Sequence, residues 1–260
     1  MLHYTKYEHP ESKQWVTFVH GAGGSSSVWF KQIKAFKAHF NVLLIDLRGH
    51  GRSQKHVNYR ELQRYTFNSV TKDVVEVLDH LKIEATHMVG ISLGTIIIRE
   101  LAENWPDRVK SMVMGGAILK MNFRSQILMK LGFWLKSLVP YLLLYKLFAF
   151  VIMPRRKHVE ARSLFVREAR KLYQREFIRW FKLTADLNPL LKWFRSKEIS
   201  IPTLYVMGDE DYMFLPSVQM VANQHESAQL VVLQNSGHVC NVDQPGLFND
   251  HSIDFIYKNH

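Results

Sequence analysis

A chain of 260 residues, 47% apolar and 12% aromatic, is enough for one large packed domain, or one domain with an insertion, and excludes disordered, collagen-like and coiled-coil chains. The single cysteine, Cys240, excludes an internal disulfide framework and any multi-cysteine zinc or iron-sulfur site. A total of 34 Lys and Arg against 23 Asp and Glu leaves a formal charge of +11, a balance suited to an anionic partner, so where the charge sits matters more than its sum.

Met1 to Pro10 mixes His, Tyr, Lys and Glu and lacks the basic flank and apolar run of a secretory signal, which predicts a cytoplasmic location. Trp15 to Val19 is the first apolar, strand-like run. It leads into His20-Gly21-Ala22-Gly23-Gly24, whose small residues let backbone N–H groups face a cavity. No G-x-G-x-x-G or Walker lysine accompanies this loop and no helix begins close behind it, which argues against a dinucleotide or phosphate cradle. From Val28 to Phe40, the spacing of Trp29, Ile33, Phe36 and Phe40 predicts a helix with one buried face. After a strand at Val42 to Ile45 and the loop Asp46 to Ser53, Val70, Val74, Val77, Leu78 and Leu81 predict a covering helix over Phe67 to Leu81. The strand His87 to Ile91 then runs into Gly90-Ile91-Ser92-Leu93-Gly94, at the start of another helix.

Another strand, Val109 to Met114, is followed after Ala117 by some 77 residues of helical periodicity without a convincing strand, until Thr203 to Met207 resumes the sheet. This predicts an inserted all-helical cap at 119–195, with residues 1–118 and 196–260 forming the core. The apolar stretch Ser137 to Met153 is interrupted by Lys146 and Pro140 and falls short of the ~20 residues that span a bilayer, so a buried or interfacial helix pair is expected. In Ala161 to Phe181, Ala161, Phe165, Ala169, Tyr173, Phe177 and Phe181 recur every four residues, with Leu164 and Leu172 beside them, which predicts an inward face. Arg167, Lys171, Arg175 and Arg179 form a second four-spaced stripe, expected to be solvated. Pro154 to Lys182 holds ten basic and three acidic residues, so +7 of the +11 sits there. Weak contact with an anionic membrane through this basic stripe beside Leu138 to Phe150, or steering of an acidic substrate, is the sharper expectation; no nucleic-acid motif appears and no nucleic acid is expected.

Strands alternating with helices predict an α/β fold with a mostly parallel sheet covered on both faces. Its carboxyl edge gathers the chemistry. Ser92 sits at a tight strand-to-helix turn, where flanking Gly90 and Gly94 are needed because a Cβ would strike a neighbouring element. A serine hydroxyl needs a base to take its proton and a third group to orient that base. Downstream, Gly208-Asp209-Glu210-Asp211 follows one strand, and Asn235-Ser236-Gly237-His238 follows the strand Leu230 to Leu233. An acid near 211 and then His238 continue the Ser, Asp, His chain order. Acyl chemistry also needs oxyanion donors, for which the Ala22 and Leu93 N–H groups are placed. His20 is expected to brace neighbouring loops, Cys240 to be a small buried hydrophobe, and no metal is proposed because no zincin spacing occurs.

These blocks together resemble the α/β-hydrolase superfamily, specifically its capped branch of serine esterases, lactonases and carbon-carbon hydrolases. The resemblance rests on His20 to Gly24 running on to Trp29, Asp46 to Ser53, the turn around Ser92, Gly208 to Pro216, and Gly237-His238 running on to Pro245. It implies Asp211 as the acid ahead of Asp209 and Glu210, and a bracing role for Arg48, His50 and Arg52. Ser92 in place of an aspartate argues against epoxide hydrolase and haloalkane dehalogenase chemistry. The expected activity is hydrolysis of an ester-type bond (carboxylester, lactone or thioester) in a small, partly apolar substrate through Ser92, His238 and Asp211, with no cofactor. Carbon-carbon bond hydrolysis by the same triad and a ligand-binding signalling protein on the same fold are the alternatives.

Overall fold

A computed structural model of the chain describes residues 1–56, 65–135 and 138–259; of the apolar stretch considered above, Ser137 lies outside the described residues. Among the described residues, seven strands form one sheet: β1 (Tyr4–Tyr7), β2 (Trp15–Val19), β3 (Asn41–Ile45), β4 (Thr86–Ile91), β5 (Val109–Gly115), β6 (Thr203–Gly208) and β7 (Ala228–Leu233), in the spatial order β1-β3-β2-β4-β5-β6-β7. All neighbours are parallel except β1, which runs antiparallel to β3 with Tyr4 opposite Ile45. Every residue of β3, β4 and β6 is buried, as central parallel strands require when helices cover both faces. β1 has no counterpart among the expected strands. Its Tyr-Thr-Lys-Tyr sequence is short and half-solvated, the composition of an edge strand, and it is held by pairing with β3 rather than by burial.

The helices follow the chain as α1 (Ile33–Phe36), α2 (Phe67–His80), α3 (Leu93–Asn104), α4 (Phe123–Leu135), α5 (Tyr141–Ile152), α6 (Val159–Ala169), α7 (Gln174–Leu183), α8 (Leu187–Ser196), α9 (Leu215–Gln224), α10 (Cys240–Asp243) and α11 (Pro245–Lys258). On one face of the sheet, Val70, Val74 and Leu78 of α2 pack with Ile97 and Leu101 of α3. On the other, Trp29, Phe36 and Phe40 pack with Phe248 and Ile256 of α11. The helix expected over Val28 to Phe40 is realised only as a 3₁₀ turn at Ser26–Trp29 and the single turn of α1, although Trp29, Phe36 and Phe40 are buried as the spacing requires. Phe30 and Gln32 between them keep right-handed helical angles, and the buried Gln32 amide donates to the Asn241 carbonyl across the structure.

Helices α4 to α8 follow β5 and precede β6 in the chain, in the stretch where the helical cap is expected. The single inward stripe expected over Ala161 to Phe181 is broken: α6 ends at Ala169, α7 begins at Gln174, and Tyr173 is exposed in extended backbone between them. Tertiary partners capture the carbonyls freed by the break, the Tyr141 hydroxyl donating to Leu172 and the Gln54 amide to Lys171. No proline or glycine marks this break in the sequence. It also splits the basic stripe, so Arg167 and Lys171 belong to one helix end and Arg175 and Arg179 to the next.

Candidate active site

The turn between β4 and α3 carries Ser92 at φ 55° and ψ −121°, a strained conformation for a residue with a side chain. Packing enforces it. A Cβ on Gly94 would run into the Val19 carbonyl at the end of β2, and one on Gly90 would meet Ile98 of α3 at 2.6 Å. The Ser92 turn is therefore squeezed between strand and helix, and its side chain lies at the carboxyl edge of the sheet.

His238 waits there from the loop after β7. The Ser92 hydroxyl lies 2.9 Å from His238 Nε2, and His238 Nδ1 lies 2.7 Å from Asp211 Oδ2, in the loop after β6. Asp211 and His238 are both nearly fully buried. A carboxylate can only accept, so Nδ1 carries the ring proton and Nε2 keeps its lone pair for the Ser92 hydroxyl. The Phe214 N–H donates to Asp211 Oδ1, and the Phe214 ring packs 5.0 Å from the imidazole. Of the three neighbouring acids, only Asp211 faces His238. Asp209 accepts the Ser236 N–H, and Glu210 turns away to His158, Arg155 and Lys157 of the cap.

Ala22 and Leu93 both line the cavity above Ser92, and among the described residues neither amide donates a hydrogen bond. Leu93 is the first residue of α3, so its N–H is one of the amides a helix leaves unpaired and sits at the positive end of the helix dipole. His20 and His50 brace the loops behind them. His20 Nδ1 donates to the Gly21 carbonyl and Nε2 accepts the Leu47 N–H; His50 Nδ1 donates to the Arg48 carbonyl and Nε2 accepts the Gly23 N–H at 3.0 Å. Burial pushes both imidazoles below the ordinary histidine range, His50 to about 3, so both stay neutral and keep these acceptors. Arg48 pairs with Asp73, whereas Arg52 contributes its backbone N–H to Asp46 and leaves its side chain exposed. Cys240 is buried, its thiol donating to the Val206 carbonyl, and burial pushes that thiol up to about 12. It is not a nucleophile.

A family model described as the alpha/beta hydrolase fold matches residues 14–150, more than half of the chain. The chain belongs to the α/β-hydrolase family. It is 25% identical to 3-oxoadipate enol-lactonase 2 of Acinetobacter baylyi over 93% of this chain and 87% of that protein. Among solved structures it superposes on MenH from S. aureus with a TM-score of 0.84 at 18% identity, covering 100% of this chain and 99% of that one. It also superposes on the enol-lactonase from Burkholderia xenovorans LB400 with a TM-score of 0.79 at 20% identity, covering 98% and 96%.

In this α/β-hydrolase the cavity over Ser92 has a volume of about 200 Å³. Its roof comes from the cap: Leu128, Met129, Phe148, Leu164, Phe177 and Phe181 among others. Among the described residues no Lys or Arg lines it, and Glu168 is its only ionisable wall residue besides Tyr145 and His238. Glu168 is not free to serve a substrate cation, because it accepts from the Ser25 hydroxyl at 2.7 Å and from Lys171 at 2.8 Å. Burial raises its carboxyl, but Lys171 and Ser25 outweigh that and hold it below the usual range. The contact ties α6 to the loop that carries Ala22.

A second carboxylate, Glu176 of α7, is fully buried and accepts from the Tyr65 hydroxyl (2.6 Å) and Arg179 (2.8 Å), while Trp180 Nε1 donates to the Arg48 carbonyl. These cap struts were missed as functional positions when the acids were counted only as charge. The signal was present: Glu168 stands seven residues after Ala161, and Glu176 four before Trp180, both at helical spacing on a buried face. An acid on an apolar face calls for a partner across the interface.

Proposed function

We propose that this protein hydrolyses an ester-type bond of a small, largely apolar and uncharged substrate through an acyl-enzyme on Ser92. The observation that carries the reading is the unbroken hydrogen-bond series from Ser92 Oγ through His238 to buried Asp211, facing an apolar chamber. His238 Nε2 takes the hydroxyl proton as Ser92 Oγ attacks the carbonyl carbon. Asp211 stabilises the imidazolium that forms, and the Ala22 and Leu93 N–H groups receive the charge that builds on the carbonyl oxygen. The proton on Nε2 passes to the leaving oxygen, the alcohol departs, and water repeats the sequence with His238 again as base. Water gives its proton to Nε2, its oxygen attacks the acyl carbon, and Ser92 leaves with that proton.

The wall of the cavity supports the substrate class. With no Lys or Arg on it among the described residues, a bound carboxylate would lie in a low-dielectric chamber without a counter-charge, which costs several kcal/mol. An uncharged acyl chain or aromatic ring instead gains about 25 cal/mol for each Å² buried. The enol-lactonases among the similar proteins are named for opening an internal ester, which supports the bond type and not the charge of the substrate. The test is a series of aryl esters of increasing acyl length, assayed with wild type and Ser92→Ala. Turnover is expected to rise with chain length until the chamber is filled, and Ser92→Ala to lower it by roughly 10⁶, the size seen for nucleophile removal in a serine protease. A rate that ignores both acyl length and the substitution overturns the reading.

A further inference from the structure

The outer surface of the first two cap helices has the wrong composition for water. α4 exposes Phe123 (77%), Ile127 and Trp134 (79%), α5 exposes Leu143 and Phe150, and Leu138 stands 81% exposed in the connection between them. The opposite sides of the same helices face inward, with Leu128 and Met129 of α4 and Tyr145 and Phe148 of α5 lining the cavity. Both helices are thus apolar nearly all round, a pattern found in buried or membrane-facing helices. Their 13 and 12 residues span only ~20 Å, short of the ~30 Å hydrocarbon core, and among the described residues no helix is long and apolar enough to cross a membrane. A helix pair of this kind can lie on a bilayer but not pass through it.

Charge selects between a lipid surface and a protein partner. From Arg108 to Val159 the sequence carries ten Lys or Arg and no Asp or Glu. Two of those lysines, Lys130 and Lys146, are exposed within the apolar patch itself. Lysine is depleted from the cores of protein interfaces, whereas at a membrane its stem lies along the apolar surface and its ammonium reaches the headgroups. The stripe Arg167 to Arg179 is a poorer anchor, since the helix break divides it and Lys171 and Arg179 are paired to the buried Glu168 and Glu176.

We propose that the outer face of α4 and α5 docks on an anionic lipid surface, its aromatic and aliphatic side chains in the acyl-headgroup boundary and Lys130 and Lys146 among the headgroups. Docked this way, the catalytic chamber lies one helix thickness, ~10 Å, from the lipid.

Docking does not depend on the hydrolase reading, so Ser92→Ala protein is tested beside wild type. Flotation of the full chain is measured with phosphatidylcholine vesicles and with vesicles containing phosphatidylglycerol, at low and high salt. Wild type and Ser92→Ala are expected to float with the anionic vesicles and to be released by salt. Trp134→Ser combined with Phe150→Ser should weaken that binding at least ~10-fold, by loss of buried apolar area. Lys130→Gln combined with Lys146→Gln should weaken it ~5-fold per lysine on anionic vesicles only. All four positions are on the surface, and an unchanged circular dichroism spectrum and thermal midpoint verify the fold of each variant. Absence of binding to anionic vesicles, or equal binding by wild type and both variants, overturns the proposal. So does a wild-type dimer in sedimentation that Trp134→Ser/Phe150→Ser converts to monomer, because the face then belongs to a second copy.

Discussion

The carboxyl edge of the sheet and the cap that covers it are built on opposite rules. At the edge, geometry is set over a few residues: a strained Ser92, a Gly94 that admits no side chain against Val19, and the 2.7 Å contact that aims His238. In the cap, apolar bulk fills the space, and position is set by a few carboxylates that reach down to the core: Glu168 to Ser25 and Glu176 to Tyr65, with Glu210 reaching up from the core to His158. On the proposed function, the edge supplies chemistry that tolerates almost no displacement. The cap supplies a chamber whose shape can vary, provided its struts hold. The difference teaches that damage to the two regions should appear in different observables.

The sharpest way to expose that difference is Asp211→Asn. The substituted amide can donate to Nδ1 and so favours the tautomer that presents a proton, rather than a lone pair, to Ser92. Turnover should fall ~10⁴-fold, the loss measured for the equivalent change in a serine protease, with thermal stability little altered. Steady-state kinetics beside a thermal melt reads both at once. A loss below ~10-fold would mean that the carboxylate does not set the tautomer.

Glu176→Ala should do the reverse. It removes the acceptor of the Tyr65 hydroxyl and one acceptor of Arg179 and opens a void under Gly49, so unfolding free energy should drop by about 3 kcal/mol. The turnover of the molecules that remain folded should change only severalfold. Glu176→Gln keeps one acceptor oxygen for Arg179, and its NH2 can donate to the Tyr65 oxygen once that hydroxyl rotates, so it should recover most of the loss, which urea denaturation of the two variants would show. If the alanine variant lost turnover as severely as Asp211→Asn while keeping its stability, the division between edge and cap would be wrong.

That division also explains what could be read from the amino-acid order. That Ser92, His238 and an acid near 211 would meet is legible because each lies just past the end of a strand, in a motif a few residues long; the choice of Asp211 over Asp209 and Glu210 came from the family resemblance, and it is Asp211 that the structure brings to His238. The alternation of strands and helices gave the parallel sheet for a similar reason, since β3 and β4 are buried runs that need little context. The edge strand β1 was not legible, because Tyr4–Tyr7 becomes a strand only when β3 offers it a partner. Nor was the end of α6 at Ala169: the four-residue apolar rhythm continues through Tyr173, and what stops the helix is a tyrosine hydroxyl and a glutamine from elsewhere. Counting Glu168 and Glu176 only toward net charge missed their contacts for the same reason, since their partners lie 143 and 111 residues away.

His50 is where the two regions meet, and it gives the smallest effect and the most specific one. Its Nε2 accepts the Gly23 N–H of the core loop, and its ring packs edge-on against Trp180 of the cap at 5.0 Å. A protonated ring would lose that acceptor and place a charge in a buried site, which is why burial, with His20 nearby, lowers it to about 3. The unfolded chain therefore takes up the proton first. The contribution of His50 to stability is complete above its ordinary value of about 6.5 and is lost as acidification proceeds from there towards 3. The cost is about 1.4 kcal/mol between pH 7.5 and 5.5 from this residue. His20, lowered in the same direction, adds to the slope. Subtracting the urea-unfolding curve of His50→Gln, which retains an acceptor for Gly23 but does not titrate, isolates the share of His50. The wild type should lose about 1.4 kcal/mol more than the variant over that interval. Parallel curves would mean that the ring titrates alike in folded and unfolded chains, and His50 would then not be the buried neutral acceptor that joins the Gly23 loop to Trp180.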